Sequence, residues 1–190
     1  MEGTFYALLG GLFNPLFFGL LHPLLTQLGS CSLFAAIEPL TGQRLAQVHT
    51  RRTKREFALF CQAVATAYSA ATRIRLVLDN LNTHNASAFY EHLPADEAFA
   101  LAQRFEFFYT PKSASWLNMI EIEFSALSRL CLNRRIPTIE QLAAELLAMM
   151  AERSLKGVRI NWQFSIDARR LKLHARYSVV NELNSKFNKD

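Results

Sequence analysis

Ile74-Arg75-Leu76-Val77-Leu78-Asp79-Asn80 is the stretch that decides the fold. A short run rich in branched aliphatic side chains stops abruptly at a carboxylate. That pattern predicts a strand buried on both faces. The carboxyl end of such a strand is where α/β folds place their chemistry. Downstream, two short helices are expected at about 86–92 and 95–103. Phe105 to Tyr109 (FEFFY) reads as a second strand, closed by Thr110-Pro111. Lys112 to Trp116 reads as a loop. A helix over about 117–132 follows, with Leu117, Ile120, Phe124, Leu127 and Cys131 as its apolar stripe. Thr138 caps a further helix that runs to about Arg153, and Gly157 breaks the pattern.

Upstream, Ser32–Ile37 (SLFAAI) and the alternating Arg44–Val48 (RLAQV) flank a Pro39-Leu40-Thr41-Gly42 turn and predict a β-hairpin. Thr53 and Glu56 have the spacing of a capping box, opening a helix at Lys54. Phe57, Phe60, Cys61, Val64 and Tyr68 are that helix's apolar stripe. The order ββα–β–αα–β–α–α is an α/β pattern with the hairpin first.

Composition bounds the function. The chain has 190 residues, 51 % of them apolar and 19 % charged, which excludes disorder throughout. Cys31, Cys61 and Cys131 stand far apart without a C-x-x-C pair, against a zinc ribbon or a disulfide scaffold and in favour of a reducing, cytoplasmic setting. The net charge of +5 comes from residues 151–190, which carry 9 Lys/Arg against 4 Asp/Glu. A basic C-terminal segment suits a polyanion such as nucleic acid, or else forms an exposed helix face.

No charged residue lies between Glu2 and Glu38. Residues 5–28 are apolar enough in length to cross a bilayer. Pro15, Pro23, Asn14, His22 and three glycines make them a poor membrane helix. The expected division is an apolar leader over 1–28, a catalytic-type domain over 29–177 and an unmatched tail over 178–190.

Asp79 ends a core strand, and Glu121 and Glu123 sit early in the helix after the next strand. Carboxylates at two such places can converge at the sheet edge. Without His or Cys partners they favour a hard cation such as Mg²⁺, and two such ions suit in-line displacement at a phosphate. On a helical wheel Glu121 and Glu123 flank opposite borders of the apolar stripe, so the wheel does not choose between them.

The words around these acids carry a resemblance. Asp79-Asn80-x-x-x-His84 follows the strand, and Tyr109-x-Pro111 then Leu117-Asn118-x-x-Glu121 opens the helix. This resembles the catalytic domain of DDE transposases, in the bacterial insertion-sequence branch of the mariner superfamily. The similarity extends from Gly29–Leu40 and Arg51-Arg52-Thr53 through Leu127-Ser128-Arg129, Arg134-Arg135-Ile136-Pro137 and Trp162-x-Phe164 to Asp167-Ala168-Arg169 and Tyr177. It implies a ribonuclease H-like mixed sheet flanked by helices. It also implies two Mg²⁺ or Mn²⁺ ions held by three carboxylates, which activate water and then a DNA 3′-hydroxyl for strand cleavage and joining.

By that resemblance Asp79 is the second acidic residue and metal ligand. Glu121 is the third by its L-N-x-x-E register, with Glu123 as the competing choice. Asn118 is placed to orient Glu121. Asn80 and His84 line the same corner, His84 in a packing or a direct role. Transposon-end DNA is the implied partner, with Lys112, Arg134, Arg135, Arg169, Arg170 and Lys172 as backbone contacts, and an oligomer with intact transposase is possible chemistry for a family that works as multimers.

The chain departs from the family in one decisive way. The first catalytic Asp belongs on a strand upstream of the hairpin, and residues 3–37 contain no acidic residue. Ser113-Ala114 stands where a His-Gly-like pair is expected, and 42 residues separate Asp79 from Glu121, longer than the mariner spacing. The expectation is an N-terminally truncated transposase domain whose first strand is missing or replaced, by Thr4–Leu9 or Leu12–Leu21, and which is catalytically defective. The alternatives are a non-catalytic fragment that binds DNA or intact transposase, and a membrane-associated protein led by residues 5–28.

Overall fold

The computed structural model describes the backbone of residues 4–10 and, with side chains, residues 31–79, 81–110, 118–132, 134 and 136–161. Contacts divide the chain at Ile160, and the elements named below all belong to the first unit. Five strands form one sheet: β1 (Thr4–Gly10), β2 (Ser32–Ile37), β3 (Arg44–His49), β4 (Arg73–Leu78) and β5 (Phe105–Tyr109). Their order across the sheet is β3-β2-β1-β4-β5. β2 pairs antiparallel with β3 and with β1, whereas β4 runs parallel to both β1 and β5. This is the expected ribonuclease H-like mixed sheet.

Of the two segments read as candidates for the first strand, Thr4–Gly10 is a strand of the sheet. Thr4–Gly10 occupies the central slot, with Leu8 and Leu9 level with Val77 and Leu78 of β4. An apolar strand suits that place because a central strand meets side chains on both faces and can leave no backbone group unpaired. Leu12–Leu21, the other candidate, lies outside the described residues. Among the described residues no helix is long and apolar enough to cross a membrane.

Helices cover the two faces. α1 (Lys54–Ala67), α2 (Ser87–His92) and α3 (Ala95–Arg104) lie on one side, where Phe57, Phe60, Val64, Phe89 and Leu101 pack against Phe34, Ile74, Leu76 and Leu78. α4 (Ile120–Leu130) and α5 (Ile139–Leu155) lie on the other, where Ile120, Phe124, Leu127 and Leu146 meet Leu33, Ala35 and Ile37. β2 therefore contributes alternate residues to both cores. The capping box at the start of α1 forms as read, with Thr53 and Glu56 bonding reciprocally.

α4 is shorter than the sequence pattern suggests. Asn118 and Met119 form a turn before it, because the Asn118 side-chain oxygen accepts the Ile120 amide at 3.4 Å and so competes with a further helical turn. α5 runs to Leu155, two residues past the expected end, and Gly157 then turns the chain at φ +57°.

Gly42 closes the β2–β3 turn at φ +80°, the left-handed region that favours glycine. A Cβ there would stand 2.8 Å from the Val158 carbonyl oxygen, so the turn packs directly on the chain leaving α5. Gly42→Ala is expected to cost about 3 kcal/mol, from left-handed strain plus overpacking against backbone. Urea unfolding of the two proteins measures it, and a cost below about 1 kcal/mol would show the turn free of α5.

Candidate active site

β4 delivers Asp79 to the end of the sheet. Immediately beyond, the chain folds back: the Asp79 carbonyl accepts the Leu81 amide at 2.7 Å, and the Leu81 carbonyl accepts the His84 amide at 2.9 Å. The Thr110 amide donates to the Leu78 carbonyl at 2.9 Å, extending the β4–β5 ladder by one bond beside the acid. α4 approaches from across this edge. The Asn118 side-chain amide donates to Asp79 Oδ1 at 3.2 Å, so Asn118 orients Asp79, where the sequence reading had it orienting Glu121.

Asp79 and Glu121 come close enough to repel. Burial raises the Glu121 carboxyl above the ordinary range, and the Asp79 charge raises it further. Burial likewise raises Asp79, opposed by the Asn118 bond and by the Arg52 guanidinium. Two carboxylates that each resist ionisation, at a strand end, form a place where a cation lowers the energy.

Glu123 does something else. Its side chain is fully buried, and so is that of Arg44 from β3. Arg44 Nη2 donates to Glu123 Oε2 at 2.8 Å. Arg153 of α5 forks onto the same carboxylate, Nε to Oε1 at 2.6 Å and Nη2 to Oε2 at 3.1 Å. These guanidiniums hold Glu123 below the usual carboxylate range against the cost of its burial. The two glutamates therefore differ in their partners: Glu123 is held by two arginines, whereas Glu121 is exposed and feels the Asp79 charge.

His84 is fully buried. Its ring stacks on Phe57 at 4.9 Å between centroids and lies near Phe34. Neither ring nitrogen has a hydrogen-bond partner among the described residues. Burial, then the Arg52 charge, lowers its pKa from 6.5 to about 4, while the Asp79 carbonyl pulls weakly the other way. It packs as a neutral ring beneath the Asp79 turn.

Of the other residues read from the sequence, Arg134 pairs with Glu145 of α5 at 2.7 Å. Asn80, Lys112, Arg135, Arg169, Arg170 and Lys172 lie outside the described residues. Arg52 was not singled out for the site, yet its charge reaches both Asp79 and His84. Its only sequence signal was its place just before the α1 cap.

The donor set of the described residues does not fit a two-cation centre. Among the described residues no group of three His, Cys, Asp or Glu is placed to hold a metal ion. The strand beside Asp79 reads TFYALLG and has no carboxylate to bridge two ions. Two acids facing a combined charge of about +4 leave such a pair under-ligated.

Comparison with known proteins gives the chain its family. No curated protein matches it. Among solved structures, it is similar to a chain of a simian T-cell lymphotropic virus intasome bound to PP2A regulatory subunit B56 gamma, with 11 % identity and a TM-score of 0.47. That match covers 77 % of this chain, which spans about half (48 %) of the intasome chain.

Two outcomes test this geometry. Glu123→Gln leaves buried guanidiniums without their anion and is expected to cost about 3–5 kcal/mol. Glu121→Gln removes a repelled charge and is expected to leave stability equal or higher at pH 7. Chemical denaturation of both variants separates them, and equal losses would contradict the division of roles.

The second is a pH dependence. Below pH 6.5 the unfolded chain protonates His84, whereas the folded chain does so only near pH 4. The unfolded state thus binds more protons across that window, and stability falls as pH drops through it, by up to about 3 kcal/mol. Asp79 and Glu121, with raised folded values, tilt the curve the other way. His84→Phe keeps the stack and lacks the titration, so its stability should exceed the wild type's increasingly from pH 6.5 to 4. A constant difference would place a charged imidazole in the core.

The model of the DDE superfamily endonucleases matches residues 23–143, more than half of the chain and the whole stretch from the hairpin through both acidic motifs, and the protein therefore belongs to that family.

Proposed function

We propose that this chain is a transposase-type DDE domain of the mariner-like insertion-sequence branch that engages DNA and does not cut it. Endonucleases of this superfamily typically use divalent metal ions, and the family acts on DNA. The observation that carries the reading is the sequence of the central strand. Asp79 and Glu121 meet as the second and third acids of the motif would, but the strand level with them offers Leu8, Leu9 and Gly10. No acid stands there to complete the set.

What this chain's own residues can do follows from that. Asp79 and Glu121 attract a single cation, and Asn118 holds one of the two in place. Arg52 adds positive charge at the same corner, suited to a phosphate oxygen. The basic residues 169, 170 and 172, with Lys112 and Arg135, are proposed as further backbone contacts. A cytoplasmic location and association with intact transposase remain part of this proposal, on the absence of disulfide-type cysteine spacing and on the multimeric habit of such enzymes.

Two assays test it. Supercoiled DNA carrying candidate transposon ends, incubated with Mg²⁺ or Mn²⁺, is expected to stay intact. A metal-dependent nick that disappears in Asp79→Ala would overturn the reading. Filter binding across a salt series should show log affinity falling linearly with log salt, with a slope of about −0.9 per phosphate contact. An affinity independent of salt would remove DNA as the partner.

A further inference from the structure

Glu121 and Glu123 are two residues apart on α4, about 200° around the helix axis. Holding one therefore aims the other. The apolar stripe of α4 turns Ile120, Phe124 and Leu127 toward the sheet, but a rotation of about 20° is small against an apolar stripe about 100° wide, and apolar burial is non-directional. At the radius of a side chain, roughly 5–6 Å from the axis, such a swing moves a carboxylate by about 2 Å. That is enough to separate Glu121 from Asp79. The Asn118 side-chain amide ties the start of α4 to Asp79, a contact at one end of the helix.

The buried ionic cluster removes that freedom. Arg44 and Arg153 reach Glu123 from β3 and from α5, so the carboxylate is gripped from two separate elements. Arg44 is itself tied down. Its Nη2 also donates to the Val158 carbonyl at 2.8 Å, its Nη1 donates to the Gly42 carbonyl, and its backbone amide donates to Ser154 Oγ at 2.9 Å. The grip is thus anchored in the junction of the β2–β3 turn with the end of α5. Arg44 Nε is buried without a partner among the described residues. For stability alone, apolar residues of similar volume often serve as well as a buried ion triad. A directional grip is what they could not provide.

We propose that Arg44, Glu123 and Arg153 are positioning residues: the cluster sets the rotation of α4 about its axis and so keeps Glu121 facing Asp79 without help from a metal ion. The inference rests on reading Asp79 and Glu121 as the retained acidic pair, but its test involves neither DNA nor metal.

The test uses the ¹⁵N-labelled full chain and two NMR readouts in the folded state. Residual dipolar couplings of the α4 amides, referenced to those of β4, report the rotation of the helix. The side-chain amide signals of Asn118 report its bond to Asp79. Arg44→Met/Glu123→Leu/Arg153→Met removes all three charges together and strands none. In it, α4 is expected to turn by about 20°, a swing small against the width of its apolar stripe, or to show averaged couplings, and the Asn118 amide is expected to lose its response to Asp79→Asn. A residue set that only stabilises would lower the melting point and leave both readouts as in the wild type, and that result overturns the proposal. Should the triple variant not fold, Arg153→Met alone releases one side of the grip. Partial averaging of the α4 couplings then supports the proposal, recovery in Arg153→Lys strengthens it, and unchanged couplings refute it. Loss of DNA binding in the wild type would sink the functional reading while leaving these spectra free to decide the cluster's role.

Discussion

Everything in this molecule hangs on the occupant of the middle of the sheet. The slot between β2 and β4 must offer hydrogen bonds in two directions, antiparallel to one neighbour and parallel to the other. It must also present apolar surface to helices above and below. Thr4–Gly10 makes both pairings, and its sequence, TFYALLG, carries no charge. The hairpin β2–β3 on one side and the parallel pair β4–β5 on the other are thereby joined, and the ends of β4 and the start of α4 are brought to one edge.

The same strand that completes the fold carries no carboxylate. A DDE centre is a balance of charge: carboxylates that repel one another are held together because cations repay the repulsion. Here two of them stay close, at a strain visible in the raised carboxyl groups of Asp79 and Glu121. Arg52 opposes that strain with a positive charge near Asp79, while two guanidiniums hold Glu123 on another side of α4.

Much of this was legible in the residues. The hairpin, the capping box of Thr53 and Glu56, the strands ending at Leu78 and Tyr109 and the Thr138 cap all follow from local rules of spacing and turn chemistry, and all appear in the structure. The start of α4 was misjudged because Asn118 spends its side chain on the backbone, a competition that apolar periodicity does not register. The bond from Asn118 to Asp79 crosses the sheet edge, a relation that a helical wheel does not represent.

The sequence by itself determined the order of elements from the hairpin onward, their caps and apolar faces, the two acidic motifs with their family, and the lack of any acid between Glu2 and Glu38. These are properties of composition and short-range spacing. Only the tertiary structure decided that Thr4–Gly10 takes the central slot, that Asn118 serves Asp79, that His84 is a neutral packing ring, and that Glu123 rather than Glu121 is consumed by arginines. Each of those outcomes depends on residues far apart in the chain, Arg44 with Glu123 and Arg153 above all. Which of two neighbouring carboxylates meets a cation is fixed by where distant backbone places that cation, and local sequence carries no record of it.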